Sequence, residues 1–93
     1  MKFVAQSKDF KRDLKKLASS KYRGIVNNEL RNVVGALAND EALDYSYHDH
    51  PLTGNLKGFR ECHLAFDLVL VYQVDENKIR LSRIGSHSVV LGL

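Results

Sequence analysis

Four histidines and two carboxylates between residues 48 and 87 are the side chains of this sequence best suited to acid–base chemistry. Histidine titrates near pH 6.5, so one imidazole can remove a proton while another supplies one near neutrality. Glu61 and His63 are two residues apart in a strand-like segment, so they project from one face. A turn near residues 65–66 predicts that Asp67 lies close to His63. The histidines are His48, His50, His63 and His87.

Other chemistries leave weaker signatures in the sequence. A zinc site could draw on the histidines or on Cys62, but no CxxC, HExxH or other recognised zinc spacing occurs. Cys62 has no surrounding nucleophile signature, there is no GxSxG, and no glycine-rich phosphate loop is present. We therefore expect no cofactor and no metal. Solvated histidines without a role remain the alternative to a catalytic cluster.

The elements that must position these residues follow from the hydrophobic period. Residues 2–6 predict a short opening strand, and Ser7 provides an N-cap hydroxyl for a helix. Apolar side chains recur at three- and four-residue spacing from Phe10 to Leu17, which is one helix face. A second amphipathic helix is predicted over 21–38, so the two form an antiparallel helical hairpin.

The second half of the chain has strand-like periods. Together with the opening strand and the two helices, they predict one α+β domain over residues 1–93, with the helical hairpin packed on a small antiparallel sheet. The segments are a turn-rich loop at 48–55, strands at 57–64, 68–74 and 78–84, a break at 85–88 and an apolar tail at 89–93.

Length and composition restrict the class of protein. The chain has 93 residues, 44% hydrophobic and 27% charged, which suits one globular domain. A single cysteine excludes an intramolecular disulfide and fits a reducing cytoplasm. The longest mostly apolar run, 64–74, is far shorter than the roughly 20 residues of a membrane helix. The first residues lack the hydrophobic core of a signal peptide. We expect a cytoplasmic protein without membrane contact.

Charge is distributed unevenly along the chain. The net charge is +3, yet residues 1–31 carry nine Lys and Arg against three Asp and Glu, a local +6. Residues 32–55 carry four acidic residues and no basic one. The outer face of the first helix is a candidate surface for polyanions or an acidic protein, and a plain solvated surface is the alternative. Its basic residues are Lys8, Lys11, Arg12, Lys15 and Lys16.

Two segments are specific enough to indicate a family. The stretch DHPLTGNLKGFRECHLAFDLVLVY, followed by IRLSRIGSHSVVLG, resembles the YafQ-like branch of the RelE/ParE toxin superfamily. Its most specific parts are DHPLxGxxKGFRExH, the aspartate four residues later and the GSH near the C-terminus. The resemblance includes the basic helix SKDFKRDLKKL and so extends over essentially the whole chain.

The resemblance implies a bacterial type II toxin with a compact α+β fold like that of RelE and the microbial RNases. It implies an endoribonuclease that cleaves mRNA in the ribosomal A site, and as partners a cognate acidic antitoxin, the ribosome and mRNA. A higher-order toxin–antitoxin complex would bind operator DNA. Carried over by position, the active-site residues are His50, His63, Asp67 and His87, with Glu61 at a second acidic position.

Chemistry and resemblance together suggest roles. Cleavage without metal needs a base for the 2′-hydroxyl, charge stabilisation at phosphorus and an acid for the 5′-oxygen, and yields a 2′,3′-cyclic phosphate. We expect His50 or His63 as base with Asp67 as its orienter, and His87 as acid. His48 has no family role and is interpreted as a solvated loop residue. Phosphate contacts are expected from Lys57, Arg60 and Arg83. An RNA contact is expected from Leu91, which stands where some relatives have an aromatic residue and offers a nucleobase no π-face.

Two other functions remain compatible with this sequence. A ParE-like toxin that inhibits gyrase shares the fold but does not need this histidine set. A non-catalytic module that binds nucleic acid or protein would use only the basic helices. For the toxin, Lys11, Lys15 and Lys16 are the residues expected to face the ribosome or the antitoxin.

Overall fold

A five-stranded sheet with helices on both faces forms the protein, which a computed structural model describes over residues 1–91. The predicted α+β class is confirmed. The strands are β1 (Phe3–Gln6), β2 (His50–Pro51), β3 (Arg60–Ala65), β4 (Leu68–Val74) and β5 (Lys78–Gly85). The helices are α1 (Lys8–Leu17), α2 (Arg23–Ile25), α3 (Arg31–Ala38) and α4 (His87–Leu91), with a π-helical turn (Val26–Leu30) and 3₁₀ turns (Tyr45–Tyr47, Gly54–Leu56).

The strand order is β1-β5-β4-β3-β2. The expectation of a purely antiparallel sheet is wrong, because β1 pairs with β5 in parallel while the other neighbours are antiparallel. Parallel neighbours need a long crossover, and the helices between β1 and β5 provide it. The short strand β2 lies at the other edge. Pro51, which cannot donate to a ladder, is tolerated there.

The core lies between α1, α2, α3 and one face of the sheet. Phe10 and Val33 are fully buried against Leu70, Tyr72 and Ile79. The N-cap predicted at Ser7 is present, since its side chain accepts a hydrogen bond from the backbone N–H of Phe10 at 2.9 Å.

The second predicted helix is not one continuous α-helix. A π-helical turn over Val26–Leu30 interrupts it between α2 and α3. A π-helical turn contains one more residue than an α-helical turn. Because apolar residues stand in adjacent pairs at 25–26 and 33–34, an apolar side chain faces the core whether or not that additional residue is present. The period therefore could not reveal the interruption.

The other face of the sheet is covered by α4, where an apolar tail was expected. The Oγ of Ser86 accepts from the backbone N–H of Val89 at 3.3 Å, and Val90 packs on Val69 and Val71. Gly85 has φ +157°, and an added Cβ would lie 3.1 Å from Val90, so glycine permits this close approach. A five-residue helix is too short for its period to be detected. Residues 92–93 of the predicted tail lie outside the described residues.

Strand β3 begins at Arg60, three residues later than predicted. Gly54–Leu56 forms a 3₁₀ turn and Gly58 has φ +97°, so this part of the loop is not extended. Glu61 pairs with Val71, and its side chain therefore lies on the α4 face of the sheet. Across residues 1–91, no helix is long and apolar enough to cross a bilayer.

Candidate active site

Glu61 is the centre of a histidine cluster on the α4 face of the sheet. The residue is 2% exposed, and its Oε1 lies 2.9 Å from the Nε2 of His87 and 3.0 Å from the Nε2 of His63. The Nε2 of His50 lies 3.7 Å from the same oxygen. Three imidazoles from separate parts of the chain therefore surround one buried carboxylate.

The sheet accounts for this convergence. His50 pairs with Glu61 in the β2–β3 register, and His63 follows Glu61 by two residues on the same face of β3. His87 is the first residue of α4, which packs on β4 and β5. The sequence predicted a break at 85–88, and this is wrong for His87, which lies in a helix. The ring centroids are 5.0 Å apart for His63 and His87, and 6.5 Å apart for His50 and His63.

His87 contacts carboxylates through both ring nitrogens. Its Nε2 is 2.9 Å from Glu61, and its Nδ1 is 3.3 Å from the Oδ1 of Asp67, which also accepts from the His87 backbone N–H at 3.3 Å. The hydrogen bond to Glu61, with that to Asp67, raises the pKa of His87 against the opposing effect of burial. The His87 backbone and ring in turn lower the pKa of Asp67. This arrangement favours an imidazolium that carries two N–H donors.

His50 makes a different hydrogen bond. Its Nδ1 is 3.2 Å from the carbonyl oxygen of Pro51, which can only accept, so Nδ1 carries the proton in the neutral ring. Nε2 then has a lone pair, and the side chain is 49% exposed. An imidazole with an accessible lone pair beside a protonated one is an acid–base pair suited to proton transfer at a phosphodiester.

The loop that holds His50 is anchored through Asp49. The Oδ2 of Asp49 accepts from Arg60 Nη2 at 2.9 Å, and its Oδ1 accepts from the hydroxyl of Tyr72. Burial and this carboxylate raise the pKa of Tyr72, which keeps the hydroxyl as a donor. The motif and the chemistry of the residues assigned Asp49 no role in advance. Its only signal was its place in the DHP motif.

Known proteins resemble this chain over almost its whole length. Residues 2–92 match the family model described as the bacterial toxin of type II toxin–antitoxin systems, YafQ. The chain belongs to the YafQ toxin family. A protein of Escherichia coli K12 named mRNA interferase toxin YafQ is 31% identical over 90 residues, with 96% of this chain and 95% of the relative covered.

Solved structures of similar proteins have the same fold. A metal-bound toxin from Helicobacter pylori is 46% identical with a TM-score of 0.82, and 97% of this chain and 99% of that one are covered. The E. coli DinJ–YafQ toxin–antitoxin complex contains a chain that is 29% identical with a TM-score of 0.82, and coverage is 98% of both chains.

The basic residues expected to contact phosphate in this YafQ-family chain lie in different settings. Arg60 is paired with Asp49, and the Nε of Arg83 donates to the buried Asp13 at 2.7 Å. Lys57 is exposed on the loop between β2 and β3. Leu91 packs with the apolar cluster beneath α4. The lysines on the outer face of α1 are exposed, and these are Lys8, Lys11, Lys15 and Lys16.

Two further predictions about single residues need correction. Asp67 contacts His87 rather than His63, because the tight turn between β3 and β4 directs it towards α4. His48 is exposed as expected, but it is not simply a solvated loop residue, since its ring centroid lies 5.7 Å from that of His63. Cys62 is buried on the helix face, and burial raises the pKa of its thiol to about 12. Such a thiol is a poor nucleophile or ligand.

The cluster also satisfies the donor requirements of a transition metal. His50, Glu61 and His63 offer two imidazole nitrogens and one carboxylate oxygen within 4.8 Å of one another. Two imidazoles and a carboxylate suit zinc or copper. The sequence lacked a recognised metal spacing because two of these residues are in β3 and the third is brought to them by strand pairing.

Proposed function

We propose that this chain is the toxin of a type II toxin–antitoxin system and an endoribonuclease that cleaves mRNA in the ribosomal A site without a metal. The observation that carries the proposal is the buried Glu61 shared by His63 and His87, with His50 beside it. The E. coli relative named as an mRNA interferase supports the reaction class.

In the first step His50 removes the proton of the 2′-hydroxyl. Its Nδ1–H is committed to the carbonyl of Pro51, and its Nε2 lone pair is directed towards the cluster. His63 is the second candidate, because donation from its Nε2 to Glu61 leaves Nδ1 unprotonated in the neutral ring. The 2′-oxygen then attacks phosphorus, and the product is a 2′,3′-cyclic phosphate.

In the second step His87 protonates the 5′-oxygen as the P–O bond breaks. Two carboxylates hold its ring in the protonated form, which supports the role of acid. Asp67 acts as the orienter of this acid rather than of the base. Glu61 positions the rings on both sides, and its burial fixes their directions.

Charge on the phosphorane is stabilised by the imidazolium of His87. Arg60 pairs with Tyr72 and so projects from the helix face of the sheet, where it donates to Asp49 and anchors the loop that carries His50. Arg83 lies on the same face of the sheet as Glu61, since both pair with Val71, but its guanidinium donates to Asp13 at the edge of β5, and we assign it a structural role.

A metal held by His50, Glu61 and His63 would supply Lewis acidity at the phosphate. It would also occupy the imidazole nitrogens on which proton transfer depends. We therefore propose that bound metal inhibits the toxin. The metal-bound relative from H. pylori shows that a protein of this fold can hold one.

The proposed partners are a cognate acidic antitoxin, the ribosome with its message, and operator DNA for the toxin–antitoxin complex, all in the cytoplasm. The DinJ–YafQ complex supports the antitoxin. The local +6 charge of residues 1–31 suits an acidic protein segment or rRNA, which would bind at different times.

Cell-free translation with primer extension on the message tests the proposal. The protein should cut within codons that occupy the A site, leave a 2′,3′-cyclic phosphate, and cut the same naked RNA far more slowly. Glu61→Gln should slow cutting strongly, and Glu41→Gln, which changes an exposed carboxylate elsewhere, should not. Uncut message with blocked DNA supercoiling would instead indicate a gyrase inhibitor, and an effect on neither would indicate a binding module.

A leaving-group experiment tests the assignment of the acid. His87→Ala should reduce single-turnover cleavage by about 10²–10⁴-fold. A message with a 5′-thio leaving group should restore much of that loss, because thiolate needs little protonation. The same message should not rescue His50→Ala. Equal rescue of both variants would refute the assignment, and the control is that each variant is still folded at the assay temperature.

A further inference from the structure

A pocket beside the catalytic cluster has no role in the proposed proton transfers. Its volume is about 700 Å³, and it lies between the 3₁₀ turn Tyr45–Tyr47 and the turn that joins β3 to β4. His63 lines both the pocket and the cluster. A group bound in this pocket would therefore be adjacent to the scissile phosphate. The other lining residues used below are Glu29, Tyr47, His48 and Phe66.

Two aromatic rings are exposed here, one lining the pocket and one beside it. Phe66 is 99% exposed and Tyr45 is 90% exposed. The ring centroid of Tyr45 lies 5.8 Å from that of His48, which in turn lies 5.7 Å from that of His63. A series of rings thus runs from solvent to the catalytic histidine. Exposed rings at this spacing form the kind of surface on which the bases of single-stranded RNA stack.

The backbone holds His48 in a costly conformation. His48 has φ +50°, in the left-handed region that non-glycine residues rarely adopt. Such conformations persist where surrounding contacts impose them, and they cluster at functional sites. The neighbouring Asp49 supplies those contacts through Arg60 and Tyr72. The backbone that carries His48 is therefore fixed, and its ring meets that of His63 edge-on.

The polar groups of the pocket are better suited to bind a nucleobase than a phosphate group. Glu29 accepts from the hydroxyl of Tyr47 at 2.7 Å, and its negative charge would repel a phosphodiester. The same carboxylate can accept from the exocyclic amino group of a base. The bond to Glu29 raises the pKa of Tyr47, so the hydroxyl stays protonated near neutrality.

We infer that this pocket binds an unpaired nucleobase of the message next to the scissile phosphate, stacked on His48 and Phe66 with its edge towards Glu29. Adenine, cytosine and guanine have an exocyclic amino donor, whereas uracil has none. The pocket should therefore discriminate against uracil at one position of the codon. This inference rests on the proposed function and adds the recognition of its substrate.

Kinetics on programmed ribosomes provide the first test. Phe66→Ala and His48→Asn should each lower kcat/KM by about 5–150-fold, the range for losing one base stack. Asparagine suits the positive φ of His48, and Phe66 is exposed, so neither variant should lower the melting temperature. Phe3→Ala, which removes a 77% exposed ring at the far edge of the sheet, is the matched control and should cleave normally.

A fluorescent base provides a second test that does not require cleavage. The message carries 2-aminopurine at each A-site position in turn, with a 2′-O-methyl group at the scissile nucleotide. Wild-type protein should change the fluorescence at one position, Phe3→Ala should do the same, and Phe66→Ala and His48→Asn should not. Uracil at that position should slow wild-type cleavage, and Glu29→Gln should weaken this preference.

The outcomes separate the inference from the proposed function. If wild-type protein cuts the message and both variants cut it equally fast, the base pocket is refuted while the endoribonuclease remains. A fluorescence change that persists in both variants also refutes it. Unaltered cleavage and fluorescence with weaker antitoxin or ribosome binding would show that the pocket binds protein or rRNA instead. If wild-type protein cuts no message, the proposed function fails, and the fluorescence alone decides the pocket.

Discussion

At the site, the environment of each imidazole assigns its role. His87 lies between two carboxylates, His50 donates to a carbonyl, and His63 shares Glu61 with His87. The ring held between two carboxylates can act as the acid, and a ring with an unprotonated nitrogen can act as the base. Glu61 is the common element, since it orients two rings from a position that solvent barely reaches.

The raised pKa of His87 predicts the alkaline limb of the pH–rate profile. Cleavage requires the protonated ring, so kcat/KM should fall as pH rises through a pKa above the ordinary 6.5. Glu61→Gln, assayed for its residual rate, should move this limb to lower pH, and Asp67→Asn should move it less. A limb that stays in place in both variants would contradict the assignment.

The same shift has a consequence for stability. Because the folded pKa of His87 lies above the ordinary value, protonation of its ring stabilises the fold fully below about pH 6.5, and this contribution is lost as pH rises through the folded pKa. Urea unfolding of wild type and His87→Gln at several pH values measures the difference. It should be largest in acid and should shrink towards alkaline pH.

Metal independence is tested by chelation. Cleavage should persist in excess EDTA once free Mg²⁺ is restored for the ribosome, because the proposed steps use only imidazoles and carboxylates. Added Zn²⁺ should inhibit wild type, since it would bind through His50, Glu61 and His63. Loss of activity in EDTA that zinc alone restores, with stoichiometric zinc on the isolated protein, would overturn the metal-free mechanism.

The sequence predicted which residues form the site better than it predicted their contacts with one another. The motif and the chemistry of histidine indicated His50, His63 and His87. That Asp67 contacts His87 depends on where α4 packs, and the importance of Asp49 depends on Arg60 and Tyr72, residues distant from it in sequence. Contacts between elements are set by packing, which a single sequence does not display.

At the scale of elements, strands were predicted better than their arrangement. The predicted 68–74 matches β4, since a nearly continuous apolar run is typical of a buried central strand. The sequence did not predict the parallel pairing of β1 with β5, because the hydrophobic period does not show which strand lies at an edge. It did not predict α4, because a helix of five residues is too short to give a detectable period. Strand β1 pairs with β5 only as far as Leu81. Beyond that residue α1 covers the edge of β5, and the carboxylate of Asp13 accepts a hydrogen bond from the backbone N–H of Ile84 at 3.1 Å.

The ion pair between α1 and β5 gives a prediction of stability. Arg83→Met leaves the carboxylate of Asp13, which is 5% exposed, without its charged partner and should destabilise the fold by about 1–3 kcal/mol. Arg12→Met breaks an exposed pair with Asp9 and should cost less than about 1 kcal/mol. Urea unfolding measures both. A stable Arg83→Met that has lost cleavage would instead support a phosphate contact at Arg83.

The whole molecule separates two working surfaces. Helix α1 buries Phe10 in the core on one face of the sheet, whereas Glu61 and its histidines lie on the other face, beside α4. The basic outer face of α1 therefore points away from the chemistry. A surface of this kind can set where the protein docks without altering the proton transfers.

Removal of charge from α1 tests this separation. Replacing Lys11, Lys15 and Lys16 by alanine should weaken ribosome binding, and for each lysine that binds a phosphate the slope of log K against log salt should fall by about 1. Because the catalytic histidines lie on the opposite face of the sheet, kcat at saturating ribosome should be unchanged while KM rises. Alanine at Lys78 and Arg80, on β5, is the control and should change affinity less per charge removed. If the α1 variant bound as tightly as wild type at moderate salt, α1 would be an ordinary solvated helix. A fall in kcat at saturation would mean that docking through α1 and catalysis are coupled, and the two surfaces would not be independent.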